Sequence, residues 1–76
     1  MGEQDTYEYF KNNIKPAMTY SQLTKTFGRP DTDIGSGIHI YVYNLKDNTK
    51  IWIGFTNSIE YAMHVDSAGN LLHTIL

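Results

Sequence analysis

The chain has 76 residues, 41% of them hydrophobic and 18% charged, with a formal net charge of −2 and a pI near 5.8. A domain this small buries only roughly 60% of the surface its unfolded chain exposes, which leaves no room for a deep, enclosed active site. The acidic balance disfavours nucleic acid and anionic lipid as partners. The absence of cysteine excludes disulfides, thiolate metal sites and thiol chemistry, and no apolar run nears the ~20 residues that span a bilayer.

The chain reads as one domain, 1–76. "DTYEYFKNNI" opens with Asp5, has Glu8 three residues on and spaces Tyr7, Phe10 and Ile14 along one helical stripe, so a capping box and a first helix are expected over about 5–14. Lys15-Pro16 ends it, because a residue preceding proline is pushed out of the α region. "TYSQLTKTFGRP" repeats the pattern: Thr19 as N-cap, Gln22 at the reciprocal capping position, Tyr20, Leu23 and Phe27 on one stripe, Gly28 at the C-terminal left-handed position and Pro30 beyond. This predicts a second helix over about 19–27. Helices shorter than ~12 residues are marginal alone, so both must dock on something.

"DTDIGSG" reads as a flexible connector, and strand-like runs follow at about 38–45, 50–56, 60–66 and 71–75. Pairing Leu45 with Lys50 around the Asp47-Asn48 turn sets Val42 against Ile53, Ile40 against Phe55 and Tyr43 against Trp52. In that register Ile38, Ile40, Val42, Ile51, Ile53 and Phe55 form the face that the helices cover, while His39, Tyr41, Tyr43 and Trp52 share the other. For the next connection a two-residue "NS" turn would set Phe55 against Glu60; the preferred three-residue loop pairs Phe55 with Tyr61 and Ile53 with Met63, which adds Tyr61, Met63 and Val65 to the covered face and Glu60, Ala62 and His64 to the open one. In "DSAGN", Gly69 suits a type I turn with a bulge, and "LLHTIL" returns as a final edge strand. The expected fold is α+β: two short N-terminal helices packed on one face of a four-stranded antiparallel meander.

"IKPAMTYSQLTKTFGRPD", followed by "YVYNL" and "IWIGF", resembles the bacterial SmpA/OmlA-type lipoprotein domain and the related beta-lactamase-inhibitor-protein-like (BLIP-like) repeat. Met18-Thr19 and Phe27-Gly28-Arg29-Pro30 match the start and end of the family's second helix, whereas Ala17 stands where the family often has glycine. The resemblance spans most of the chain from Ile14 onward. It implies a cell-envelope or secreted protein that binds other proteins, some relatives inhibiting enzymes through the exposed sheet face and others supporting outer-membrane assembly. Such fold-level analogy is associational. Met1-Gly2 reads as a trimmed start, ahead of which an export signal or lipid anchor would be expected.

Tyr41, Tyr43 and Trp52, with His39 and His64 nearby, are the candidate protein-binding platform, since tyrosine and tryptophan offer large contact area at low entropy cost. The competing account is that these aromatics only stabilise a small sheet through cross-strand pairs, or are covered by a sister domain or the C-terminal strand. His39, His64 and His73 lack metal-ligand spacing, and "DTDIGSG" has neither a full calcium-loop pattern nor a glycine loop between strand and helix, so no metal or other cofactor is expected. The serines lie in caps and turns with no nucleophile elbow, and Glu60 and His64 on one strand stand ~13 Å apart, so no enzyme is expected. A helix-turn-helix centred on "GRP" would put Pro30 and Gly-Ser-Gly inside a recognition helix. The functional expectation is a non-enzymatic protein-binding module. The alternative is an accessory domain that self-associates weakly, as a homodimer, through the open face or the C-terminal edge strand.

Overall fold

A computed structural model describes residues 6–76. Helix α1 spans Tyr7–Asn13 and helix α2 spans Tyr20–Phe27. Five strands follow: β1 (Thr32–Asp33), β2 (His39–Asn44), β3 (Lys50–Phe55), β4 (Ile59–Val65) and β5 (Leu71–Thr74). They form one antiparallel sheet in the order β1-β2-β3-β4-β5. The fold is thus α+β as expected, with five strands rather than four.

The extra strand comes from the stretch read as a flexible connector. The Asp31 N–H donates to the Val42 carbonyl and the Ile34 N–H to that of Ile40, while the Asp31 carboxylate accepts the Asn44 N–H. The Asp33 carboxylate accepts the N–H groups of Gly35 and Ile40. Aspartate side chains satisfying local backbone donors turn this polar run into an ordered edge.

Helix α2 begins and caps as its sequence dictates. Thr19 Oγ1 accepts the Gln22 N–H and Gln22 Oε1 accepts the Thr19 N–H, the reciprocal capping box. Gly28 at its end has φ 81° but ψ −176°, a positive-φ cap that is extended rather than left-handed helical. Helix α1 is capped by Thr6, whose Oγ1 accepts the Tyr9 N–H at 3.1 Å; the expected Asp5 cap lies outside the described residues. Between the helices the Met18 carbonyl accepts the Ile59 N–H at 3.1 Å, tying the linker to the start of β4.

The core lies between the helices and one sheet face. Phe10, Ile14, Met18, Leu23 and Phe27 pack on Tyr43, Leu45, Ile51, Ile53, Phe55, Ile59 and Ala62, with the Phe10 and Phe27 rings stacked at 4.2 Å.

Both expected strand registers are corrected. Asn44 pairs with Lys50, Tyr43 with Ile51, Val42 with Trp52 and Tyr41 with Ile53, one residue away from the expected alignment. The cause is the turn: the Leu45 N–H donates to the Thr49 carbonyl, so the loop is Lys46-Asp47-Asn48, with Asn48 at φ 70°. Asp47 Oδ1 accepts the Thr49 N–H. A three-residue loop with its last residue left-handed shortens the connection by one position, and a one-residue slip moves every side chain to the opposite face. Tyr41 and Tyr43 therefore join Ile51 and Ile53 under the helices, and Ile40 and Val42 face away.

Between β3 and β4, Phe55 pairs with Ile59, Gly54 with Tyr61, Ile53 with Ala62 and Trp52 with Met63. The shift between Gly54 and Phe55 leaves Glu60 as the additional residue, a bulge. Ala62 and His64 thus face the helices, while Tyr61, Met63 and Val65 do not. The β4–β5 turn is as expected, with Gly69 at φ 90° and a second irregularity between His64 and Val65.

Candidate binding face

The five candidate platform residues do not share a face. Tyr43 is a core residue, 4% exposed, its ring 5.1 Å from Phe10 and 6.1 Å from Phe27. Its hydroxyl donates to the Gly28 carbonyl at 2.8 Å, bracing the end of α2, and burial pushes the phenol well above its ordinary pKa. Tyr41 is half-buried between Tyr20 and Phe55, each at 5.4 Å. His39 stacks on the outer side of Tyr41 at 5.2 Å, and its Nδ1 lies 2.7 Å from Asp33 Oδ2. That contact is the main reason the Asp33 carboxyl is held below its usual value.

His64 is buried, 6% exposed, at the other end of the helix-covered face. Tyr7 of α1 stacks at 4.5 Å on both His64 and His73, whose rings lie 5.4 Å apart. His64 Nε2 meets Thr49 Oγ1 at 2.7 Å, and the Thr49 hydroxyl in turn bonds Asp47. With Thr49 donating to Asp47, Nε2 is the nitrogen that carries the proton, and Nδ1 is buried with no partner among the described residues. Burial first, and His73 second, push the His64 pKa down, against a smaller opposing pull from Asp47. The imidazole end of this acid–hydroxyl–imidazole chain lies against the Tyr7 ring. A shallow groove of about 470 Å³ lies elsewhere, beside the interhelix turn. Among the described residues no cluster of three or more histidine, aspartate or glutamate side chains is placed to hold a metal ion.

Trp52 alone of the five faces away from the helices. By strand alternation its neighbours there are Ile40, Val42, Gly54, Tyr61, Met63 and Val65. Val42 and Val65 are buried, whereas Ile40, Trp52, Tyr61 and Met63 are half-buried. The Tyr61 ring lies over Gly54: a Cβ added there would stand 2.1 Å from Tyr61 Cε2. The Trp52 indole reaches the β4–β5 turn, where a Cβ on Gly69 would stand 3.3 Å from its Cη2. Its Nε1 is buried with no acceptor among the described residues.

The second face is thus an apolar layer one side chain thick, built from aliphatic groups beneath two aromatic rings and a thioether. Tyr61 and Met63 belong to it, although sequence reasoning assigned them to the core. The signal that could have placed Tyr61 was Gly54, because a glycine inside a strand marks a spot where a neighbouring group crosses the backbone. Comparison with protein-family models, curated protein sequences and solved structures found no match to this chain.

Proposed function

We propose that this chain is a non-enzymatic protein-binding module whose contact surface is the sheet face turned away from the helices, centred on Trp52, Tyr61 and Met63. The observation that carries this reading is that these three side chains are only half-buried on a face that neither described helix covers. Tryptophan, tyrosine and methionine are enriched at protein interfaces, where rigid rings and an adaptable thioether supply contact area at low ordering cost. The same face offers no convergent polar groups for chemistry. Tyr41 and Tyr43 leave the proposed surface because they pack under the helices, His64 because it is buried, and His39 because it stacks beside Tyr41. The "AMTYSQLTKTFGRP" resemblance supports placing the module in the bacterial cell envelope or secreted space, a location that an export signal encoded upstream would test directly.

The experiment is capture with immobilised wild-type chain and with Met63→Ser, followed by titration of the purified captured protein into free chain while acrylamide quenching of Trp52 is read. The expected result is saturable protection of Trp52 that weakens at least roughly tenfold in Met63→Ser, the loss of about 1.4 kcal/mol or more expected of a side chain at the centre of an interface. A bound protein that leaves Trp52 as accessible as before would overturn the assignment of the surface.

A further inference from the structure

Spacing along the chain gives the histidines no metal motif, but strand pairing sets His64 of β4 directly opposite His73 of β5. Three distances fix how their rings lie. The Tyr7 ring is stacked 4.5 Å from each, and the two imidazoles are 5.4 Å apart with planes 4° from parallel. Stacked rings keep about 3.5 Å between their planes, so a Tyr7 ring sandwiched between the imidazoles would hold them about 7 Å apart. Both therefore lie on one side of Tyr7, edge to edge in nearly one plane. His64 Nε2 meets Thr49 at the head of β3, whereas His73 belongs to β5, and β4 runs between those strands. Thr49 and His73 thus flank His64 on opposite sides, and the ring edge away from Nε2, which carries Nδ1, is turned toward His73. That nitrogen is buried with no partner among the described residues.

We propose that His64 Nδ1 and a ring nitrogen of His73 form a two-histidine site for a tetrahedral d-block cation, Zn²⁺, with water in the remaining positions. The ring separation supports this ligand. Imidazole nitrogens bind zinc at about 2.0–2.1 Å, so two of them at a tetrahedral angle hold their ring centroids about 5.2 Å apart, against the observed 5.4 Å. Coplanar rings let both lone pairs converge on one point, and the exposed His73 ring presents either of its edges by a half-turn about χ2. The far side of His64 is supported as a metal ligand's is. Nε2–H donates to Thr49 Oγ1, and the Thr49 hydroxyl donates to Asp47; such a carboxylate-backed hydrogen bond fixes the tautomer and leaves the other nitrogen's lone pair for the metal. Neutral imidazole and tetrahedral geometry favour Zn²⁺ over the oxygen-seeking Mg²⁺ and Ca²⁺ and over Cu²⁺, which prefers a square plane. The site ties β5 to β4 beside Tyr7, on the helix-covered side of the sheet, and does not depend on the proposed Trp52 surface.

The test is titration of the whole chain with zinc chloride at neutral pH, followed by the nitrogen NMR signals of the histidine rings and by the melting temperature. The expected result is saturable binding at micromolar to submillimolar Zn²⁺ in which His64 Nδ1 and one His73 nitrogen shift together while the His39 ring stays unmoved, and the melting temperature rises with metal concentration. His73→Gln, at an exposed position, should retain the far-UV circular dichroism and weaken binding by at least the roughly tenfold that loss of even a supporting partner costs a metal site; His39→Gln should bind as the wild type does. The wild-type ring signals carry the test even without the variants. No saturable binding up to millimolar Zn²⁺ would overturn the proposal. So would binding that His73→Gln retains in full, or binding that shifts His39 or His73 and leaves His64 Nδ1 in place, which would mean an adventitious ion on a surface histidine only.

Discussion

Ala17 shows how far a single backbone angle can be read as chemistry. It sits in the interhelix turn at φ 66°, the left-handed region, where an L-residue with a Cβ is disfavoured by about 1–2 kcal/mol and glycine is not. The position where the resembled family often carries glycine is therefore one where the conformation itself calls for it. Ala17→Gly should relieve that penalty while adding about 0.4–1 kcal/mol of unfolded-state freedom, for a net gain of about 0.5–1 kcal/mol. A higher urea midpoint at unchanged m-value is the expected result, and a lower midpoint would contradict the turn geometry. Tyr43 tests the register at the same scale. Tyr43→Phe removes only the hydroxyl bond to the Gly28 carbonyl and should cost about 1 kcal/mol. Tyr43→Ser empties the space against Phe10 and Phe27 and should cost about 3–5 kcal/mol. Near-wild-type melting of Tyr43→Ser would mean that the ring is not in the core.

Among the elements, helix α2 was legible in its bounds, its Thr19–Gln22 box and its Leu23–Phe27 stripe, since these are local signals and local signals set helix ends, but not in the conformation of Gly28 or the exposure of Tyr20. Strand β1 lay in a stretch read as a connector; strands β2 to β5 were legible as strands, but the faces of β2 to β4 were not. Two loops decided that. Lys46-Asp47-Asn48 carries no glycine, yet Asn48 takes the left-handed position that closes a three-residue hairpin, and the bulge at Gly54–Phe55 moves Ala62 under the helices. Alternation alone was symmetric between the two choices, because both faces of these strands are apolar. The cost was the candidate site: four of its five residues went with the wrong face, and only Trp52 remained.

The docking of α1 on the sheet carries its own prediction. Tyr7 lies across His64 and His73, and His64 is held neutral by burial and by the neighbouring His73, its pKa in the folded state lying below the ordinary 6.5. As pH falls through 6.5 the unfolded chain takes up this proton first. The His64 contribution is thus complete above that pH and is lost progressively down to the lowered folded-state value. The melting temperature should drop across this window, and His64→Gln should flatten the drop. Asp33, Asp47 and Asp66 are shifted below their ordinary 3.8 by hydrogen bonds, so their stabilisation is present above that value and fails only in stronger acid. A profile flat between pH 7 and pH 5 would contradict the buried, neutral His64.

At the scale of the whole molecule, one sheet has two unequal apolar faces. The helices close one of them into a core of interlocked rings. The other is covered, among the described residues, by its own side chains, with Tyr61 laid over Gly54 and Trp52 over the turn at Gly69, and it is the surface proposed to meet another protein.

Trp52 is the single tryptophan, so its emission and acrylamide quenching report on that face alone, at micromolar and at hundredfold higher concentration. The account predicts a partly accessible indole that is the same at both concentrations. A blue, fully protected Trp52 in the dilute sample would contradict it, showing that the chain already closes its second face and has no surface there to offer.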